Sequence, residues 1–218
     1  MIKEEIVKRI LSSIILLPTV LFFIIKGSFL FNFFIFICLL ITAYEWHMMT
    51  RKKNYNIFGF LFLFLSFYSI YKLRNDISGE YEWILTITII CVATDIGGYV
   101  FGKIFKGPKL TKLSPNKTYA GMVGGYFLSI VSVNFFLLNS YFSGGIEFTR
   151  QIFILIILIS TISQLGDIVI SYFKRLSKIK DTGKIIPGHG GLLDRVDGMI
   201  FAFPFSYFIL SIDILAYF

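Results

Sequence analysis

The chain has 218 residues, of which 56% are hydrophobic, 18% aromatic and 16% charged, and its mean hydropathy is +0.77. Soluble domains are roughly one quarter charged and under half apolar, so this composition excludes both an ordinary water-soluble globule and a disordered chain. The net charge of +8 would point to nucleic acid in a soluble protein, but in a membrane protein it reports which loops lie on the basic side.

Taken in chain order, the apolar runs are Ile10–Ile25, Gly27–Tyr44, Asn54–Tyr71, Trp83–Gly102, Thr118–Ile146, Gln151–Phe173 and Gly198–Ile212. The fourth is interrupted only by Asp95 and the sixth only by Asp167. Several fall short of the roughly 20 residues that span a bilayer. Flanking Lys and Arg extend such runs by reaching to the interface. No run alternates with period two, which argues against a β-barrel. The expected fold is all-α, a polytopic integral membrane protein with about seven transmembrane helices. Residues 1–218 form one domain, with generic membrane helices in 1–82 and the chemistry in 83–218. Lys3, Lys8 and Arg9 precede the first run as in a secretory leader. No small-residue cleavage pattern follows, so the run reads as a retained anchor. Cys38 and Cys91 fall inside apolar runs and offer neither a disulfide framework nor a metal spacing.

Positive charge sorts these helices. The N-terminus and the loops after helices two, four and six hold 17 Lys and Arg, whereas the three alternate loops hold 4. By the positive-inside bias the N-terminus is expected to be cytoplasmic and the C-terminus external. The basic face attracts anionic head groups and nucleotides. Nucleic acid is not an expected partner.

Three segments carry chemistry, all on or near that face. The first runs from Asp95, an acid inside a span, through Lys103, Lys106, Lys109 and Lys117 among Gly and Pro. An intramembrane acid marks a cavity or a partner, and lysines in such a loop surround phosphates. The second is the sixth helix, where Ser160, Ser163, Gln164, Asp167, Ser171, Lys174 and Lys178 recur every three or four residues and form one polar face. The third is the densest: Lys174, Arg175, Lys180, Asp181, Pro187 to Gly191, and Asp194-Arg195-Val196-Asp197. Asp194 and Asp197 are three apart and can point one way, which suits Mg²⁺, a hard cation bound through oxygens. The Gly-rich approach offers free backbone N–H groups to an anion. His189 reads as a residue that holds the turn, not as a general base. Gly121 and Gly125 form a GxxxG spacing, with Gly124 added, that serves close helix packing.

At the third segment the sequence resembles a known family. Ser171 to Arg175, Lys180-Asp181, Pro187 to Gly191 and Asp194 to Asp197 closely resemble the signature of phosphatidate cytidylyltransferases, the CDP-diacylglycerol synthases. The Asp95 segment and Leu113 to Thr118 are similar to that family's second motif. The resemblance covers roughly Asp95 to Gly198. It implies that CTP and phosphatidate give CDP-diacylglycerol and pyrophosphate with Mg²⁺, leaving a second cation open. It implies that Asp194 and Asp197, with Asp167, hold the metal. Lys174 and Arg175 then neutralise pyrophosphate or the lipid head group, Lys109 and Lys117 assist, and Asp181 orients a cation or binds metal through water. His189, Gly190, Gly191 and Arg195 complete the phosphate-binding set, and Asp95 marks a further intramembrane polar site. Two positions depart from the family pattern: Ala120 and Ile170 stand where acids are common. The implied setting is a bacterial inner membrane with the site facing the cytoplasm. The partners are CTP, phosphatidate and the bilayer, and a homodimer is left open. The competing readings are a CTP-dependent polyprenol kinase and a transporter using Asp95 and Asp167 as an ion relay.

Overall fold

A computed structural model describes residues 2–51, 53–75, 77, 81–111, 114, 117–138, 146–186, 188 and 190–212, with side chains from residue 14 onward. The expectations for His189 and for an external C-terminus at Phe218 lie outside the described residues.

The described elements are α1 (Ile2–Lys26), α2 (Ser28–Thr50), α3 (Asn56–Asn75), α4 (Glu82–Phe105), α5 (Tyr119–Leu137), α6 (Arg150–Leu176), the single turn α7 (Leu193–Val196) and α8 (Met199–Ser211). Among the described residues, extended pairing is limited to isolated bridges, Lys109 with Thr118 and Ile186 with Gly190. The all-α expectation holds. Five helices, α2 to α6, are long and apolar enough to cross a membrane. The first expected span falls on α1, whose described side chains Ile14–Lys26 form an apolar stretch, and the last on the shorter apolar helix α8, Met199–Ser211. The chain is thus a multi-pass membrane protein, with five helices among the described residues meeting the length criterion against the seven spans expected.

The closest helix pair is α4 with α5, and glycine explains it. A Cβ on Gly121 would stand 2.6 Å from the Gly98 carbonyl oxygen, and one on Gly125 would stand 3.0 Å from the Thr94 carbonyl oxygen. Gly97 faces the Gly124 backbone in the same way. Small residues on both helices let the two backbones touch. The connecting loop doubles back, with Leu110 N donating to Lys117 O at 2.8 Å and Tyr119 N to Pro108 O at 3.2 Å. Thr118 then caps α5, its Oγ1 accepting from Gly121 N at 3.1 Å.

Two apolar clusters fill the bundle. One joins Ile24, Phe31 and Leu73 to Ile87, Ile90, Val133, Ile156, Ile159 and Phe203. The other gathers Trp46, Met49, Leu63, Phe67, Ile170, Leu193 and Ile200. Trp46 Nε1 donates to Asn56 O at 2.9 Å and so fastens the end of α2 to the start of α3. The second cluster includes Leu193 of α7 and is flanked by Val196, and so it reaches the turn that carries Asp194 and Asp197.

Candidate active site

The later halves of α4 and α6, the first turn of α5, Asp181 and the α7 turn come together, and Glu45 of α2 reaches Thr182 beside them. A cavity of about 390 Å³ opens there. Asp95, Lys117, Gln164, Asp167, Lys174, Asp181, Asp194, Arg195 and Asp197 line it. Residues expected from three separate sequence segments therefore share one chamber.

The polar face of α6 supplies the spine. Ser160 Oγ lies 2.8 Å from Thr94 Oγ1 of α4. One turn on, Gln164 lines the chamber. Asp167 forms an ion pair with Lys117, whose Nζ also donates to Gln164 O at 3.4 Å. Ser171 Oγ donates to Asp167 Oδ1 at 3.3 Å. Lys174 Nζ, two turns above Asp167, stands 3.0 Å from Asp194 Oδ1 and 3.6 Å from Asp197 Oδ2. Each lysine is thus held against carboxylates, poised at the chamber wall rather than spread into solvent.

Asp194 is also bonded to its own loop. Its Oδ2 accepts from Thr182 N at 2.8 Å and from Gly191 N at 3.0 Å. Gly190, at φ +86°, brings the loop close enough for this; a Cβ there would stand 2.8 Å from Asp194 Oδ2. Asp197 is 8% exposed, and its Oδ1 accepts from Gly198 N at 3.0 Å. Burial, and next the charge of Asp167, push the Asp197 carboxyl well above the usual carboxylate range, partly offset by Lys174. Five acidic and three basic side chains line the chamber, Asp95, Asp167, Asp181, Asp194 and Asp197 with Lys117, Lys174 and Arg195.

Some expected residues lie elsewhere. Arg175 is exposed and its Nη1 donates to Ile179 O at 3.1 Å, closing the end of α6. Lys109 is exposed, bridged to Thr118, and off the chamber wall. Lys178 has left the helix at φ +56°. The expectation of free amides before the last helix is corrected at Gly191. Its N–H is taken by Asp194, and those of Leu192 and Leu193 are taken by Glu45. Of the two departures, Ile170 is 3% exposed in the apolar cluster beside Trp46, away from the chamber. Ala120 stands in the first turn of α5.

Two residues escaped the reading of the sequence. Glu45 of α2 is 1% exposed and reaches the loop. Thr182 touches both Glu45 and Asp194. The available signal was an acid, Glu45, within an otherwise apolar helix.

Among the described residues, no three His, Cys, Asp or Glu side chains converge to hold a metal by themselves. The chamber instead combines carboxylates with lysines that cross-link them, a donor set suited to a cation shared with bound phosphates.

The family model described as the cytidylyltransferase family matches residues 7–80 and 57–213. The chain belongs to this family. It is 35% identical over 216 residues to the phosphatidate cytidylyltransferase of Rickettsia felis, covering 95% of this chain and 93% of that protein. With the protein of the same name from Rickettsia bellii, identity is 34% over 218 residues, covering 95% and 91%. With that of Staphylococcus aureus it is 39% over 144 residues, covering 64% and 52%.

Proposed function

We propose that this chain is a nucleotidyltransferase of phospholipid synthesis. It transfers the cytidylyl group of CTP to phosphatidate and yields CDP-diacylglycerol and pyrophosphate. The observation that carries this reading is the single chamber in which Lys117 and Lys174 face Asp167, Asp194 and Asp197.

The chemistry needs no protein nucleophile. A phosphate oxygen of phosphatidate attacks the α-phosphorus of CTP, a new P–O bond forms, and the bond from the α-phosphorus to the bridging oxygen breaks. Pyrophosphate leaves with that electron pair. The protein's part is then alignment of two anions and neutralisation of charge. Lys174 and Lys117 release carboxylates and turn to phosphate oxygens. Arg195 and Asp181 border the same chamber. With the helices embedded in the bilayer, the acyl chains remain in lipid as the head group meets the nucleotide in the chamber.

The donor set fits Mg²⁺, which takes oxygen ligands and is commonly held by one or two carboxylates plus substrate phosphates. Asp167 and Asp197 would hold it, with Asp194 beside them. When bound it supplies charge neutralisation at the triphosphate. In this reading α1 and α8 cross the membrane alongside α2 to α6, giving seven spans. The chamber then faces the cytoplasmic side of a bacterial inner membrane, where CTP is found. The 17-to-4 asymmetry of Lys and Arg supports that orientation.

The test is pyrophosphate release by purified protein in detergent. It should require CTP, Mg²⁺ and phosphatidate together; release that ignores phosphatidate would sink the reading.

A further inference from the structure

Glu45 lies on α2, outside the segments that carry the resemblance read from the sequence, yet its carboxylate is directed wholly at the loop that leads into α7. Oε2 accepts from Thr182 Oγ1 at 3.0 Å and from Leu193 N at 2.7 Å. Oε1 accepts from Leu192 N at 2.9 Å. The loop is built to admit it. A Cβ on Gly183 would stand 2.7 Å from Oε1, and a Cβ on Gly191 would stand 2.5 Å from Oε2. Thr182 then links two acids, its hydroxyl donating to Glu45 and its amide to Asp194 Oδ2. Asp194 in turn holds Lys174.

We infer that Glu45 is a positioning residue for the transfer reaction: through Thr182 and the Leu192–Leu193 amides it fixes Asp194, and through Asp194 it sets Lys174 at the chamber wall. This rests on the cytidylyltransferase reading for its catalytic readout, but not for its binding readout. The chemical logic is that of a fully satisfied buried carboxylate. Three donors, two of them backbone amides, point at two oxygens, and no water or lysine is needed. Removing the acid orphans those donors in a buried place, which is costly. The loop would then settle elsewhere, and Asp194 with it. Gln at this position keeps the shape but turns one acceptor into a donor that faces a peptide N–H. Asp keeps the charge and falls one methylene short.

The experiment measures equilibrium binding of labelled CTP with Mg²⁺, and steady-state turnover, for Glu45→Gln, Glu45→Asp and Thr182→Val in detergent. Turnover is normalised to CTP-binding sites. Partners that orient active-site ligands typically cost about 10–100-fold when lost. E45Q is therefore expected to weaken CTP binding and raise KM for CTP about tenfold, with E45D recovering part of the loss and T182V shifting both in the same direction. A structural role alone would lower the number of binding sites and leave affinity and KM unchanged. Affinity and KM for E45Q within twofold of the unaltered chain would overturn the inference. If E45Q does not reach the membrane, T182V decides by the same criterion. Should the unaltered chain bind CTP yet fail to transfer its cytidylyl group, the function proposed above falls while the binding data still judge Glu45.

Discussion

Lys117 and Asp167 form an ion pair across the chamber, joining the loop after α4 to the middle of the polar face on α6. The pair also draws Lys117 to the Gln164 carbonyl. It closes one side of the site, as Lys174 with Asp194 and Asp197 closes the other. Two lysines are thus paired with three carboxylates beside the space in which phosphates are proposed to bind.

Replacing Asp197 by Asn should abolish turnover while leaving the protein membrane-inserted. The expected loss is at least about 10²-fold in kcat, the scale on which aligned electrostatic groups act. Near-normal rates with normal insertion would remove Asp197 from the site.

Lys174→Gln should lower kcat/KM for CTP by about 10²-fold and leave two acids without their cation. Steady-state kinetics at saturating phosphatidate measure it. Lys174→Arg should recover less than charge alone predicts, because a planar guanidinium does not replace a compact ammonium between two carboxylates.

The raised pKa of Asp197 gives a signed stability prediction. Its folded form holds a proton more tightly than its unfolded form, so stability is fullest at low pH. That contribution is lost as pH rises from the ordinary Asp range through the folded value. In metal-free protein, the thermal midpoint of Asp197→Asn relative to the unaltered chain should therefore rise with pH. Mg²⁺ should raise the unaltered chain's midpoint most at the high end. A difference that does not vary with pH would contradict the account.

Gly97 and Gly98 are neighbours with opposite tolerances. A Cβ at Gly97 meets the Gly124 backbone, whereas one at Gly98 finds its nearest atom at 3.8 Å. Gly97→Ala should cost about 1–3 kcal/mol, as overpacking does, and Gly98→Ala should be nearly silent. Thermal unfolding in detergent compares the two directly.

Lys180 lies in the loop between α6 and α7, whereas Lys26 ends α1, and both are exposed. In a chain lacking Cys38 and Cys91, a cysteine replacing Lys180 should be shielded from an impermeant reagent added outside the cell, while one replacing Lys26 should react. The reverse pattern would invert the proposed orientation.

The polar face of α6 was legible because a helix repeats every 3.6 residues, so polar side chains at that spacing in an apolar segment must share one side of it. The Asp194–Asp197 pair was legible for the same local reason. Gly121 and Gly125 announced close packing, which α4 answers with Gly97 and Gly98. Arg175 entered the expected set through the family resemblance; next to Lys174, it points about 100° away around the helix, and its Nη1 donates to Ile179 O. Glu45 escaped notice because it ends an apolar run and reads as the helix boundary. Its amide partners lie 147 and 148 residues away, and no local pattern encodes such a pairing. For the same reason nothing local marks the Leu192 and Leu193 amides as taken by Glu45, whereas the Gly191 amide is taken by Asp194, three residues on.

The most direct measurement uses CTP carrying separate labels on its α- and γ-phosphates, supplied with phosphatidate and Mg²⁺ to the purified chain and to Asp197→Asn in parallel. The account predicts that the α label enters the lipid and the γ label leaves as pyrophosphate, in the unaltered chain alone. A γ label appearing in lipid, with phosphatidate or a polyprenol as acceptor, would make the chain a kinase and contradict it.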